Sequence, residues 1–226
     1  MNKRILVAAC VAITLAGCGD DNDTTKARYS ISVTNLTANQ PMSPLAIMTH
    51  TEEYNLFEVG SAASMELETL AEGGSNAELL ALSDSESSVG ASVSGNGLLL
   101  PGSTDSVELT VTSYYPYLSI ASMLVNTNDA FVGETGLDVS DLKVGGSYSM
   151  SMSVWDSGTE ANDELSETIP GPAGGGEGFN AERNDDDRVT FHSGVISQDD
   201  GLSSSTLSAN HRFLNPGAQL VITRIE

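Results

Sequence analysis

Two acids four residues apart, Asp156 and Glu160, enclose Ser157-Gly158-Thr159, and a third, Asp129, follows a long apolar run. Loop carboxylates at this spacing suit a hard divalent cation, because calcium takes six to eight oxygens from carboxylates, carbonyls and water. Gly158 permits a tight turn, so backbone carbonyls can face the same point as both flanking side chains. Asp129 lies just past the run Tyr117–Val125 and can arrive from a neighbouring loop. Asn128, Asp163 and the Gly158 carbonyl are further oxygens on the same segments. The residues alone leave two readings open: a calcium site, or three loop acids capping turns in water.

Other chemistry finds less support. The three histidines, His50, His192 and His211, form no His-Glu-x-x-His zinc pattern, and no Gly-x-Ser-x-Gly elbow, phosphate-binding loop or dinucleotide signature is present. His50 closes an apolar run and reads as a structural, hydrogen-bonded histidine. Trp155 reads as a core residue. The acidic runs Asn184–Asp187 and Asp199-Asp200-Gly201 have turn composition without the alternating Asp-x-Asp-x-Asp-Gly of an EF-hand. A non-enzymatic role is expected. The alternative is an envelope hydrolase acting on polysaccharide or ester, since the separation of paired acids is decided in space.

The start of the chain speaks to location. Lys3 and Arg4 precede an apolar run from Ile5 to Ala16, as in a secretory signal. The run is too short for a helix across a bilayer core of ~30 Å. Leu15-Ala16-Gly17-Cys18 resembles the bacterial lipobox, in which the cysteine is lipidated and becomes the new N-terminus. Residues 1–17 are thus expected to be a lipoprotein signal peptide, and 18–27 a lipidated Cys18 with a polar tether reaching roughly 30 Å at ~3.3 Å per residue. Gly19, not aspartate, follows the cysteine, which favours the bacterial outer membrane over the inner.

Loss of Lys3 and Arg4 moves the formal charge from −22 to −24. A chain this acidic repels nucleic acid. The cysteines are Cys10 and Cys18, so the mature domain has no disulfide. About two hundred residues bury enough apolar area to fold without one, and 28–226 is expected to be a single domain.

Tyr29–Thr34 alternates apolar and polar residues as a half-buried strand does, and Leu45–Met48 reads as a strand buried on both faces. A helix is predicted over Ala62–Glu72, capped by Ser61 and ended by Gly73-Gly74, with a shorter one at Asn76–Leu82. Further strands are predicted at Val107–Thr112, Tyr117–Val125, Tyr148–Val154, Val189–Phe191 and Gln219–Ile225. Pro170–Gly178 has no hydrophobic period and is predicted to be a mobile loop. This pattern predicts an all-β antiparallel sandwich with one or two short helices inserted.

Three segments resemble the spondin domain, the module of F-spondin, mindin and many bacterial surface proteins. They are Ser43–His50 with Leu56–Ser64 and Leu70-Ala71-Glu72; Met123-Leu124 with Asn126–Asp129 and Phe131-Val132-Gly133; and Val154–Glu160. Gln219–Ile225 is similar to the family's last strand, so the resemblance runs from about Tyr29 to Ile225. It implies a C2-like sandwich holding one Ca2+ at a loop end, with Asp129, Asp156 and Glu160 as ligands. Glu160 is one methylene longer than the aspartate usual there.

Together these readings predict a lipid-anchored calcium-binding recognition or adhesion module of the bacterial cell envelope. It is held to the membrane through Cys18 and binds an unidentified protein or glycan. A purely structural outer-membrane lipoprotein is the remaining alternative.

Overall fold

A computed structural model describes residues 24–226. The signal segment 1–17 and Cys18 lie outside the described residues. Of the predicted tether, Lys26 and Ala27 already belong to the first strand, β1 (Lys26–Asn35).

The fold is an all-β sandwich of two antiparallel sheets, as the patterning predicts. β1 alternates strictly: Tyr29, Ile31 and Val33 are buried, while Ser30, Ser32 and Thr34 face outward. It pairs with β4 (Thr104–Thr112) and β10 (Ala218–Arg224), and β10 pairs with β7 (Ser147–Met152), in the order β4-β1-β10-β7. Hydroxyl pairs tie these strands on the outer face, Ser32–Ser106 at 2.7 Å, Thr34–Thr104 at 2.8 Å and Ser147–Thr223 at 2.8 Å.

The second sheet runs β3 (Val89–Ser94), β2 (Ala46–His50), β5 (Tyr117–Met123), β6 (Ala130–Asp138), β8 (Val154–Asp156), β9 (Thr190–Phe191). Its central strands are apolar on both faces because each face meets a different core. Ile47, Ile120, Val132 and Val154 pack against the four-stranded sheet. Their neighbours Ala46, Met48, Ala121, Phe131 and Trp155 point the other way and pack with Leu67, Leu70 and Ala71 of helix α1 (Met65–Gly73). The period-2 alternation of a strand supplies both cores at once, and fully burying each large side chain is worth ~1.5–3 kcal/mol.

Several predicted boundaries differ. The N-cap of α1 is Ser64, whose Oγ accepts the Leu67 N–H at 3.2 Å; Ser61 is three residues upstream in a turn closed on Glu58. Gly74 is left-handed and ends the helix as predicted. The second helix, α2, spans Ala77–Ser85, three residues past its predicted end. Tyr148–Val154 is not one strand. The chain leaves the four-stranded sheet after Met152 and enters the other at Val154, so β7 and β8 lie in different sheets. Strands β3 and β6 were not predicted.

The Pro170–Gly178 segment is tied down rather than loose. Ala173 N–H donates to Asn126 Oδ1 at 2.9 Å and Gly176 N–H to the Ile169 carbonyl at 2.9 Å. A Cβ on Gly171 would lie 2.0 Å from the Val125 carbonyl oxygen, so this position admits only glycine.

Candidate metal centre

The three sequence-predicted acids lie at one rim of the six-stranded sheet. Antiparallel pairing of β6 with β8 sets Ala130 opposite Asp156, which puts Asp129, one residue before β6, beside Ser157, one residue after β8. The Ser157 N–H donates to the Asp129 carbonyl at 3.3 Å. Register alone therefore brings together acids far apart in the chain.

The Asp129 carboxylate is wholly buried and organises the loop. Its Oδ2 accepts the Ser157 hydroxyl at 2.8 Å, the Thr159 N–H at 2.9 Å and the Glu160 N–H at 3.1 Å. Gly158 sits at φ 71°, and a Cβ there would lie 2.3 Å from the Arg188 carbonyl oxygen, so the turn depends on glycine for conformation and for space.

Asp156 holds the other side of the turn. Its Oδ1 accepts the Gly158 N–H at 2.8 Å and its Oδ2 the Asn162 amide at 2.7 Å. The Asn162 side-chain oxygen meets His192 Nε2 at 3.1 Å, and His192 Nδ1 accepts the Gly194 N–H at 2.9 Å. Burial holds His192 below the usual histidine range.

The other oxygens named from sequence are engaged within the protein. Asn128 Oδ1 accepts the Glu164 N–H at 3.3 Å and its amide donates to Asp163 Oδ1 at 3.2 Å. Asp163 Oδ1 also accepts the Thr168 hydroxyl at 2.6 Å, and the Gly158 carbonyl accepts the Asp187 N–H at 2.8 Å.

Three carboxylates near this turn each retain a buried oxygen with no hydrogen-bond partner: Asp129 Oδ1, Glu160 Oε2 and Glu72 Oε1. An unpartnered buried polar atom is costly, the more so when charged. Burial, and then the Asp156 charge, push the Asp129 carboxyl up to about 7. Burial pushes Glu160 up to about 8, with Glu72 and Asp129 the next contributors. Glu72 is likewise raised, mainly by burial. Glu164, at φ 59°, is pushed up to about 7 by burial and also keeps one oxygen unpaired behind the loop. Among the described residues, no three His, Cys, Asp or Glu side chains converge on one point as they stand. The donor set nevertheless fits the calcium that the resemblance implies: hard, buried carboxylate oxygens of net negative charge, of which Asp129 Oδ1 and Glu160 Oε2 have no internal donor while both Asp156 oxygens are hydrogen-bonded within the loop.

Glu72 is a buried acid that the sequence reading did not single out. The signal was present in α1, where Glu68 and Glu72 stand four apart beside the apolar arc of Leu67 and Ala71, a like-charge pair that disfavours an isolated helix. Both are buried. Glu68 is neutralised by Arg183 at 2.5 Å, whereas Glu72 has no such hydrogen-bonded cation.

A hydrolase would need an accessible nucleophile. His50 Nε2 lies 2.7 Å from the Ser119 hydroxyl, and its Nδ1 is 2.7 Å from the Thr51 carbonyl. Both side chains are sealed inside the sheet, and His50 lies between Tyr54 and Tyr117. This is the structural histidine expected from sequence. Trp155 is likewise a core residue, donating Nε1–H to the Gly133 carbonyl at 2.9 Å and stacking on Phe191 at 4.3 Å between ring centroids. A cavity of about 560 Å³ between the Leu36–Ala38 turn and Ser193–Val195 contains none of the clustered acids.

Fold and rim together define a β-sandwich module that carries a cluster of buried acids at one loop end. A family model described as Spondin_N matches residues 34–170, more than half of the chain. The protein belongs to the spondin N-terminal domain family, which groups it with recognition and adhesion modules. The match covers β2 through β8 and all three predicted ligands. It stops short of β9 and β10, although β10 lies inside the four-stranded sheet. No curated protein matches the chain.

Proposed function

We propose that this protein is a calcium-dependent, non-catalytic recognition or adhesion module of the bacterial cell envelope, anchored through a lipid on Cys18. Its ligands for the ion are Asp129, Asp156 and Glu160. The observation that supports this reading is the Asp129 carboxylate: fully buried, hydrogen-bonded through one oxygen only, and beside a second buried acid with an unpartnered oxygen.

In this reading Asp129 orders the turn through Oδ2 and offers Oδ1 to the ion. Asp156 closes the turn from the other strand, braced by Asn162. Glu160 supplies the third carboxylate from a backbone already hydrogen-bonded to Asp129. The bound ion supplies positive charge that offsets the repulsion among these acids. A rim made rigid in this way presents its loops to a protein or glycan partner at little ordering cost. Extracellular calcium modules of this kind hold their ion with dissociation constants of ~0.1–1 mM.

The test is direct calcium titration of the full chain by calorimetry. Stoichiometric binding that is lost in Asp129→Asn is the expected result; a wild-type protein with no binding at 10 mM calcium overturns the reading.

A further inference from the structure

We propose that the cavity next to the acidic rim is a binding site for the carboxyl-terminal tail of a partner protein: an extended peptide ending in an aliphatic residue, with its terminal carboxylate on Arg212. The inference gives the recognition reading above a partner class and rests on that reading, but not on its calcium ion.

The cavity has the size and make-up of a ligand site. Its volume is about 560 Å³, and its walls include Leu36, Ala38, Val195, Phe213 and Leu214, with Arg212 among them. Sites of ~300–1,000 Å³ with apolar walls and few polar groups are the usual form of a ligand pocket. Leu214 is 84% exposed, so an aliphatic side chain also stands open to an incoming ligand. The wall adjoins the rim through His192, on which Phe213 packs at 5.2 Å between ring centroids and to which Gly194 N–H donates.

Charge selects an anion. The chain holds 31 acids against 9 lysines and arginines, yet the cavity lining contains one cation and no acid. Arg212 Nη1 donates to Asp200 at 2.6 Å and its Nε to the Ala209 carbonyl at 3.2 Å, which fixes the guanidinium plane. Asp200 is itself engaged by the Ser197 hydroxyl at 2.6 Å. Nη2 has no hydrogen-bond partner among the described residues and is the edge left for a carboxylate.

Backbone hydrogen bonding selects a peptide over a fatty acid. Val195 and Phe213 are buried, yet neither the N–H nor the carbonyl of either makes a hydrogen bond among the described residues. The adjacent N–H groups are paired, Ile196 with Glu164 Oε1 at 3.0 Å and Arg212 with the Ala209 carbonyl at 3.3 Å. Backbone groups on a buried segment need partners. A fatty acid brings acceptors alone, whereas an extended peptide brings donors and acceptors together and pairs as an added strand does.

The test uses the full chain and a library of heptapeptides with free carboxyl ends, six positions randomised and the last one varied, each pool matched by its C-terminal amide. Leucine, isoleucine or valine is expected to be selected at the last position, in calcium and in chelator alike, with the amides bound at least tenfold more weakly. Arg212→Gln and Leu214→Asp are expected to weaken the selected peptide at least tenfold. Leu100→Asp, at an exposed leucine outside the cavity, should leave it unchanged. Bound peptide should slow hydrogen exchange at the Val195 and Phe213 amides. Absence of selection, equal binding of the amides, or a bound peptide that leaves both amides unprotected overturns the proposal. Decanoate binding in the cavity where no peptide binds overturns it too. If Arg212→Gln fails to fold, Leu214→Asp carries the test. If calcium binds and no peptide does, only this inference fails; if a peptide binds and calcium does not, only the calcium reading fails.

Discussion

Asp129 and Glu160 are joined by a backbone-to-carboxylate hydrogen bond of 3.1 Å, yet each carries a buried carboxylate oxygen that no protein group satisfies. One oxygen of the Asp129 carboxylate orders the loop, and the other is left without a partner.

An ion that binds only the folded protein stabilises it by mass action. At ~100 times its dissociation constant the gain is roughly 2.7 kcal/mol, or about 5–10 °C in Tm for a domain of this size. Scanning calorimetry in calcium and in chelator is expected to show this shift for wild type. Asp129→Asn and Asp156→Asn are expected to lose it.

Stability in chelator should depend on pH in an unusual direction. Asp129, Glu160 and Glu164 are pushed up to about 7, 8 and 7, above the unfolded carboxylate range near 4. Between those limits the folded state binds more protons than the unfolded state, so unfolding free energy falls as pH rises. Their contribution is fully present below about pH 4 and is lost as pH passes through 7 to 8. Urea unfolding with chelator at pH 5.5 and pH 8 is expected to show lower stability at pH 8. Saturating calcium, which takes the deprotonated acids, is expected to remove most of the decline.

Ser119→Ala separates structure from catalysis. It deletes the hydroxyl 2.7 Å from buried His50 Nε2 and is expected to destabilise the domain by ~1–3 kcal/mol through an unsatisfied ring nitrogen. Partner binding and calcium affinity should be unchanged. Loss of a hydrolytic activity in this variant would reinstate the enzyme reading.

The second core depends on Phe131, which packs edge-on to Phe57 at 5.3 Å beneath α1. Phe131→Ala is expected to cost ~3–5 kcal/mol in urea unfolding. Because α1 rests on this core, the variant should also speed hydrogen exchange in α1.

Cys18→Ser tests the anchor. Wild type is expected to incorporate labelled fatty acid and to fractionate with membranes; the variant is expected to do neither.

Sequence alone determined what local chemistry controls. The alternation of Tyr29, Ile31 and Val33 made β1 a half-buried strand, Gly74 ended α1 through its left-handed conformation, and Gly158 made the Asp156–Glu160 turn possible. The family segments named three acids as a set. Tertiary structure decided everything that depends on register and layering. β6 escaped notice because its second half, Glu134–Asp138, is only partly buried and lacks an apolar period, yet its pairing with β8 is what sets Asp129 beside Ser157. The break between β7 and β8 was hidden because one continuous apolar pattern serves two sheets. The burial of Glu72 was not legible, since a helical acid is solvated or buried according to what packs over it. Here the 178–180 segment covers it, a contact between residues more than a hundred positions apart that no local signal encodes.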